Sequence, residues 1–579
     1  MKVIKEVIEE GNFNKKTISP KRLRKEINIC KCFDRFPEDP LDKKAFLAYE
    51  EKMKAENLLD FEDLLLKVRE LFARFPAILE RYQRRFQYIL VDEFQDTDLI
   101  QYQIIQLLAK NHRNLFVVGD DDQSIYSFRG TNYENMKLFK KEFPEMKMII
   151  LNQNYRSTQT ILDGCNSLIS HNKDRQAKEL FSDIVGTPQD VIVHQARDGN
   201  DEVDYVIDQI QTLHKEGYDY KDFAILYRSS VVSRNFELKL ISSDIKYRVF
   251  GGLSFLRRRE IKDIIAYFRL MVFHDDINSF KRIINEPSRG IGKKSVEVIA
   301  EYRKTHKITL WEALNHIQEY LPGRAKAISA FQAMMDDLSA LLEEKDLLYL
   351  FDELLLKSNY LSVLDDDEDK EERLANIMEF KSILFTIENN GEIASRTEKL
   401  IAAFDEAILS DDKLQSQKHS NDGITLSTVH SVKGLEFRVV FIVAYENGLF
   451  PSLYRFEETL GNMEEERRIA YVASTRAKEK LYMTCAVKRL LYGHFEANPQ
   501  SMFLLEFIKK NTIALPEEKE GPQEEKPREG YKIGDFVLHN VYGEGIVVSL
   551  NEEIGKICFT KQGMIKTFDM THPAIRKKE

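Results

Sequence analysis

The stretch Tyr88–Gly130, YILVDEFQDTDLIQYQIIQLLAKNHRNLFVVGDDDQSIYSFRG, decides the fold. It holds two short apolar runs that each end in acid. Tyr88 to Val91 leads into Asp92 and Glu93, and Leu115 to Val118 leads into Gly119-Asp120-Asp121-Asp122-Gln123. Aliphatic and aromatic runs of this length suit strands buried on both faces of a parallel sheet. Ligands of open α/β sheets sit at the carboxyl ends of such strands. An Asp-Glu pair at that edge suits nucleotide hydrolysis, with one carboxylate holding Mg²⁺ and the other orienting or deprotonating the attacking water. The competing reading is a solvated acidic loop capping the next helix. Against it stand Gln95-Asp96-Thr97 and Gln123-Ser124-Ile125-Tyr126, a second matched set of polar and aromatic groups.

The whole chain sets the bounds. At 579 residues it has room for roughly four domains. With 43% hydrophobic and 31% charged residues it belongs to the soluble globular class. No run approaches a membrane span and the N-terminus lacks an apolar signal core, so the expected location is the cytoplasm, with no membrane partner. Cys30, Cys32, Cys165, Cys485 and Cys558 are too few and too scattered for a disulfide framework or a four-ligand zinc site. The net charge of −10 argues against indiscriminate polyanion binding but leaves room for a basic groove.

Residues 1–80 read as helices, with a cap-like Asp60 ahead of Phe61-Glu62-Asp63-Leu64 and with Pro37 and Pro40 breaking the pattern. After the sheet opens at Tyr88, further strands are expected at Met148–Leu151, Val191–Val193, Phe223–Tyr227 and Tyr247–Phe250. A helix-rich block follows from about 273 to 404, and strands resume at Thr425–Thr428, Val439–Val443 and Leu481–Thr484. Insertion of a helical block between strands of one sheet fits this order. Residues 511–530, rich in Glu, Lys and Pro, read as a flexible linker. The short alternating segments beyond it, punctuated by Gly534, Gly543, Gly545, Gly555 and Gly563, have a small β-barrel signature.

In order along the chain stand VDEFQDTD, VVGDDDQSIYSFRG, LNQNYRST, STVHSVKGLEFRVVFIV and EEERRIAYVASTRAKEKL. This series resembles the motifs of the UvrD/PcrA/Rep family of superfamily 1 DNA helicases over almost the whole chain. The resemblance implies two RecA-like P-loop NTPase lobes, the first one incomplete, each with a helical insertion. Residues 1–80 would be the insertion of the first lobe and 81–147 its remainder. The second lobe would take 148–272 and 405–510 around an insertion at 273–404, and 531–579 would form a Tudor-like barrel. ATP and Mg²⁺ would lie between the lobes, with single-stranded DNA and a single-strand/duplex junction across them. The activity implied is ATP-dependent 3′-to-5′ translocation and unwinding in DNA repair or replication.

Carried over residue by residue, the resemblance makes Asp92 the Mg²⁺ residue, Glu93 the water-activating one and Gln123 the γ-phosphate sensor. It makes Arg156 and Arg476 the arginine fingers, a device worth about 10³ to 10⁵ in rate. Tyr155 would stack near the adenine and Glu436 would contact the ribose. Tyr126, Phe128 and Arg129 would meet DNA. Residues two apart share a face in extended backbone, so Tyr126 and Phe128 offer adjacent stacking surfaces that ignore base sequence. Members of the family often carry tryptophan where this chain has Phe128. His430 and Lys433 match the motif that links the ATP site to the DNA path. Arg289, Gly290, Gly292 and Lys293 resemble an element that touches duplex phosphates, its glycines opening backbone N–H groups to an anion. The tail at 531–579 resembles the part that family members use to contact RNA polymerase.

One departure is large. The phosphate-cradling pattern G-x-x-x-x-G-K-[S/T] does not occur in these residues; the nearest glycines, at Gly11 and at Gly290 and Gly292, have the wrong spacing. Several charge-assisted hydrogen bonds to the phosphates, about 1.5–3 kcal/mol each, would then be missing. Three readings follow: a truncated or split helicase whose phosphate-binding segment is supplied in cis or as an N-terminal fragment in trans, a nonenzymatic DNA- or polymerase-binding remnant, or a decayed gene product. The first is the reading adopted for function.

Overall fold

In the computed structural model the described residues are 1–11, 13, 17–126, 135–173, 175–365, 370–389, 395–401, 422–452 and 461–508, and then 536–539, 543–551, 554–559, 564–569 and 575–577. The chain divides into two compact units, Met1–Leu515 and Pro516–Glu579.

The described part of residues 1–85 is mostly helical, as its apolar spacing predicts. Pro40 starts a helix rather than breaking one: it occupies the first turn of Pro40–Ala55, where its missing N–H costs nothing, and Asp39 caps the Leu41 and Asp42 amides. Asp60 caps Phe61–Arg74 in a reciprocal box with Asp63. These helices close on Ile4, Val7, Ile8, Leu23, Ile27, Phe46 and Tyr49. The ammonium of the buried Lys31 sits 2.6–2.8 Å from Glu50, Asp60 and Asp63, so a lysine fills the gap among three carboxylates.

Strands β1 (Ile89–Val91) and β2 (Leu115–Val117) pair in parallel, Ile89 opposite Leu115, and are joined through the helix Leu99–Ala109. One face of the pair rests on Phe94, Tyr102, Phe139 and Phe143. The other face is bare: Leu90 is 74% and Phe116 59% exposed. Burial on both faces, expected from the apolar runs, is therefore met on one side only. The strand expected at Met148–Leu151 is also absent. The run is exposed and in no ladder with a described segment; pairing starts only past it, at Gln153 with Phe181.

The second sheet is larger. Strands β3 (Val191–Asp198), β4 (Phe223–Tyr227), β5 (Tyr247–Phe250), β6 (Ile424–Thr428), β7 (Phe437–Ile442) and β8 (Ala477–Leu491) lie in the order β3-β8-β7-β4-β6-β5, all parallel, and β9 (His494–Glu496) folds back antiparallel on β8. Both faces are apolar. Ala224, Leu226, Val440, Ile442 and Met483 point to one core and Phe223, Ile225, Val439, Phe441 and Tyr482 to the other, the period of two expected of a doubly covered sheet. On β8, the buried Arg489 lies 2.7 Å from Glu202 and 2.6 Å from Glu446. The same carboxylates accept the Ala444 and Ala486 amides, so each buried charge is paired and hydrogen-bonded.

A helical block enters between β5 and β6, and its core already includes Phe255 and the helix Arg259–Val272, ahead of residue 273. Among the described residues no helix is long and apolar enough to cross a membrane. In the second unit, β10 (Phe536–His539), β11 (Gly543–Asn551), β12 (Ile554–Phe559), β13 (Met564–Asp569) and β14 (Ile575–Lys577) form an antiparallel sheet in the order β13-β12-β11-β10-β14. The expected linker at 511–530 lies outside the described residues.

Candidate nucleotide and nucleic-acid site

The carboxyl ends of β1 and β2 meet the second lobe. Asp92 and Glu93 are both exposed there, the Glu93 amide donating to Asp92 Oδ1. Glu93 adopts φ +50, a conformation that costs a side-chain-bearing residue about 1–3 kcal/mol and is retained where its surroundings fix it. Gln95 supplies part of that fixing: its Nε2 donates to Glu93 Oε2 at 2.5 Å, while its Oε1 accepts the Asp120 amide at the end of β2. Gly119 permits this closure, since a Cβ there would lie 2.7 Å from the same Gln95 oxygen.

From the other side come arginines. Arg476, 2% exposed at the end of the helix Gly461–Ser474, gives its donors to neutral oxygens: Val472 O, Leu435 O, Thr475 Oγ1 and, at 3.4 Å, Gln123 Oε1. Burial, and then the nearby charge of Arg156, bring its pKa down to about 10. Arg476 is thus charged at neutral pH while buried beside a like charge, which is the electrostatic condition of a site made for an anion. Arg156 is oriented by a local turn in which Asn154 Oδ1 accepts the Arg156 and Ser157 amides. Its Nε donates to Glu436 at 2.6 Å, and Glu436 also pairs with Lys478 at 2.5 Å. Lys478 first, and Arg156 next, hold the Glu436 carboxyl below its usual range. Glu436, expected at a ribose, is here the counter-ion of Arg156 and Lys478. Tyr155 presents a 79% exposed ring, its hydroxyl donating to Gln153.

Lys433, expected where the ATP site meets the DNA path, is held by groups at the acidic ends of β1 and β2. Its side chain is 6% exposed, with Nζ 2.5 Å from Asp96 and 3.5 Å from Glu93, and it donates to Gln123 O. Two carboxylates in the first lobe outcompete solvent for the ammonium, so it faces the acidic end of β1 instead of an open groove. The same Nζ lies 5.4 Å over the Tyr126 ring. Burial raises the Asp96 pKa, opposed by its bond to Lys433. Tyr126 donates to the backbone oxygen of His430, which places the two expected DNA residues in contact. Phe128 and Arg129 lie outside the described residues.

In the helical block, Arg289 is committed internally. It donates to the backbone oxygens of Ile283, Ile284, Pro287 and Ser358 and to Tyr267 Oη, and lies 5.1 Å from the Phe331 ring centre. Through these acceptors Arg289 braces the turn from behind. Gly290, at φ +72, makes that turn, with Asn285 Oδ1 accepting the Arg289 and Ile291 amides. Gly292 then caps the helix Lys293–His306 without a side-chain acceptor for its first amides, and it and Lys293 are exposed. Those amides and Lys293 are what remain for an anion.

Arg175 and Lys178 carry no motif in the sequence, and the bracing role of Gln95 shows only in the fold. Arg175 grips Asp122 with two bonds of 2.8 and 2.6 Å, and Lys178 pairs with Asp120 and Asp122. The bond to Asp122 raises the Arg175 pKa. Three consecutive aspartates after β2 were the available signal, because acids so placed need cations.

Family comparison agrees with this geometry. Residues 2–144 match the UvrD/REP helicase N-terminal domain and 149–488 the UvrD-like helicase C-terminal domain. The chain belongs to the UvrD-like helicase family. The ATP-dependent DNA helicase PcrA of Staphylococcus epidermidis is 36% identical over 624 aligned positions, covering 100% of this chain and 84% of that protein. The PcrA helicase of Staphylococcus aureus is 35% identical with the same coverage. In this UvrD-like chain the two family matches meet between 144 and 149, next to the exposed run Met148–Leu151.

Proposed function

We propose that the chain is an ATP-dependent 3′-to-5′ DNA helicase or translocase of the UvrD/PcrA type, acting in repair or replication. The observation that carries this is the meeting of Gln123 and Arg476 beside Glu93 and Asp92, with Arg156 next to them. The residues fit a nucleotide triphosphate and its metal: two exposed carboxylates at a strand end, and a buried arginine bonded only to neutral oxygens. Mg²⁺, when bound at Asp92, supplies charge neutralisation for the phosphates. Glu93 takes the proton of the attacking water, Gln95 holds Glu93 in place, and Gln123 reports on the γ-phosphate. Arg476 and Arg156 stabilise charge on the transferring group, Tyr155 offers its ring to the base, and Glu436 takes a ribose hydroxyl when Arg156 turns to phosphate. Single-stranded DNA stacks at Tyr126, with Phe128, Arg129 and His430 alongside, and duplex phosphates meet the amides after Gly290 and Gly292 and Lys293. Residues 531–579 serve as a Tudor-like module for RNA polymerase.

Hydrolysis further requires a phosphate-binding segment with a G-x-x-x-x-G-K-[S/T] loop, joined to these residues or supplied in trans. Two apolar surfaces support that need. One is the bare face of β1 and β2. The other is the stripe Phe61, Leu64, Val68 and Leu71, all exposed along one side of the helix Phe61–Arg74. A parallel sheet is ordinarily covered on both faces, and a βα unit would cover this one. The second reading, a nonenzymatic DNA- or RNA-polymerase-binding remnant, draws on the absence of that loop pattern from these residues. The helicase reading requires DNA binding, measured by the anisotropy of a labelled single-stranded oligonucleotide. Affinity should be nearly independent of base sequence and fall linearly in log–log form with salt. No binding at low salt would overturn it.

A further inference from the structure

Past β2, over Asp120–Tyr126, the chain leaves its own lobe. Step by step from Asp120 to Tyr126, groups of the second lobe take hold of it. Lys178 pairs with Asp120, the Gln176 amide donates to Asp121, and Arg175 binds Asp122. Arg476 and Lys433 reach the Gln123 side chain and carbonyl, and Arg468 donates to Ser124 O. Ile125 is fully buried in the second-lobe core with Ile161 and Cys165, and the Tyr126 hydroxyl is on His430 O. The loop that carries Arg175 and Lys178 is itself tied to the second lobe, where Asn166 on the helix Gln159–Ile169 bonds both the amide and the carbonyl of Leu180. Toward the first lobe the described bonds are fewer. The Asp120 amide donates to Gln95, the Lys433 ammonium bridges to Asp96, and Lys140 reaches Gln176.

We propose that residues 120–126 form a strap carried by the second lobe and hinged at Gly119, and that Arg175 and Lys178 are the positioning residues that keep Gln123 registered on Arg476. Asp122 is 1% exposed, so this clamp is shielded from the salt and water that weaken surface pairs. Its consequence is specific. When the lobes close or open, the distance that changes is the one from Gln123 to Glu93, across Gly119, while Gln123 and Arg476 move together. A sensor mounted in this way measures the approach of the first lobe's phosphates to the arginines, and it carries Tyr126, the DNA-facing ring, on the same strap. The part of the inference concerning phosphate and DNA rests on the helicase reading; the mechanical part does not.

Amide hydrogen exchange on the full chain separates the two parts. In Arg175→Ala, exchange across 120–126 should quicken roughly tenfold or more, while the first-lobe helix Leu99–Ala109 and β4 keep their protection. Arg175→Lys, which keeps the charge and loses the two-point grip, should recover part of it. Lys178→Met should reproduce the loosening in milder form, and it stands in if Arg175→Ala fails to fold. Unchanged exchange at 120–126 in both variants, or loss spread evenly through β4, would overturn the strap. Oligonucleotide affinity is read on the same samples. A loosened strap with weakened DNA binding is the result expected. A loosened strap in a chain that never bound DNA leaves the clamp standing and removes the helicase reading.

Discussion

Arg476→Ala is expected to lower DNA-stimulated ATP turnover by about 10³-fold or more in the chain joined to a phosphate-loop segment. The guanidinium is held by the Val472 and Leu435 carbonyls and points its remaining donors at Thr475 and Gln123, so its position is fixed before any ligand arrives. Preorganised charge of this kind stabilises a transition state without reorganisation at the moment of reaction. Burial has already brought its pKa down to about 10, and an anion placed before it relieves that cost. The loss should fall on kcat and kcat/KM together, because the interaction strengthens as charge develops on the transferring phosphoryl group. Truncation also takes from the Leu435 carbonyl the donor it has here, at about 1–3 kcal/mol of stability. Thermal unfolding of the variant separates that cost from the catalytic one. Arg476→Lys should fall between, retaining charge but not the planar set of donors.

Glu93→Gln should cost about 10²- to 10⁴-fold in turnover, the range for removing a positioned general base. The substitution keeps the shape and lets Gln95 go on donating to residue 93, so the φ +50 backbone is still supported. What disappears is the capacity to take a proton. Lys433 lies 3.5 Å from this carboxylate, and the neutral amide would shift the ammonium wholly to Asp96. The KM for ATP should therefore change little while kcat falls, measured by steady-state hydrolysis with saturating single-stranded DNA. Equal loss in KM would place Glu93 in nucleotide binding rather than in the chemical step.

Much of this was legible in the residues, for identifiable reasons. The runs that become β1, β2 and β4 are short, apolar and bounded by acid or polar turns, and they pair as such patterns do. The helical block inserted within one sheet followed from strands that stop at Phe250 and resume near Thr425, and β5 and β6 are hydrogen-bonded neighbours despite that gap. Other features depended on contacts made across the fold. Met148–Leu151 has strand composition, but a strand needs a paired neighbour, and the run is in no ladder with a described segment. Lys433 sits in a motif that suggested DNA, yet the charges nearest it in space come from Asp96 and Glu93, more than three hundred positions earlier. Arg289 looked available because it precedes two glycines, and its acceptors lie on the carbonyls of the turn it closes. Arg175 and Lys178 stand in a stretch with no motif, and only the folded chain brings them to the aspartates after β2.

The proposed division of the ATP site is the central claim: on that reading the acidic and arginine halves are in these residues, and a loop that cradles the phosphates joins them from a further segment. ATP hydrolysis with single-stranded DNA, measured on the 579-residue chain alone and again with a segment bearing G-x-x-x-x-G-K-T, tests it directly. Background turnover alone and robust, Arg476-dependent turnover after addition is the result expected. Robust Arg476-dependent turnover by the chain alone, or none even with the segment bound, would contradict it.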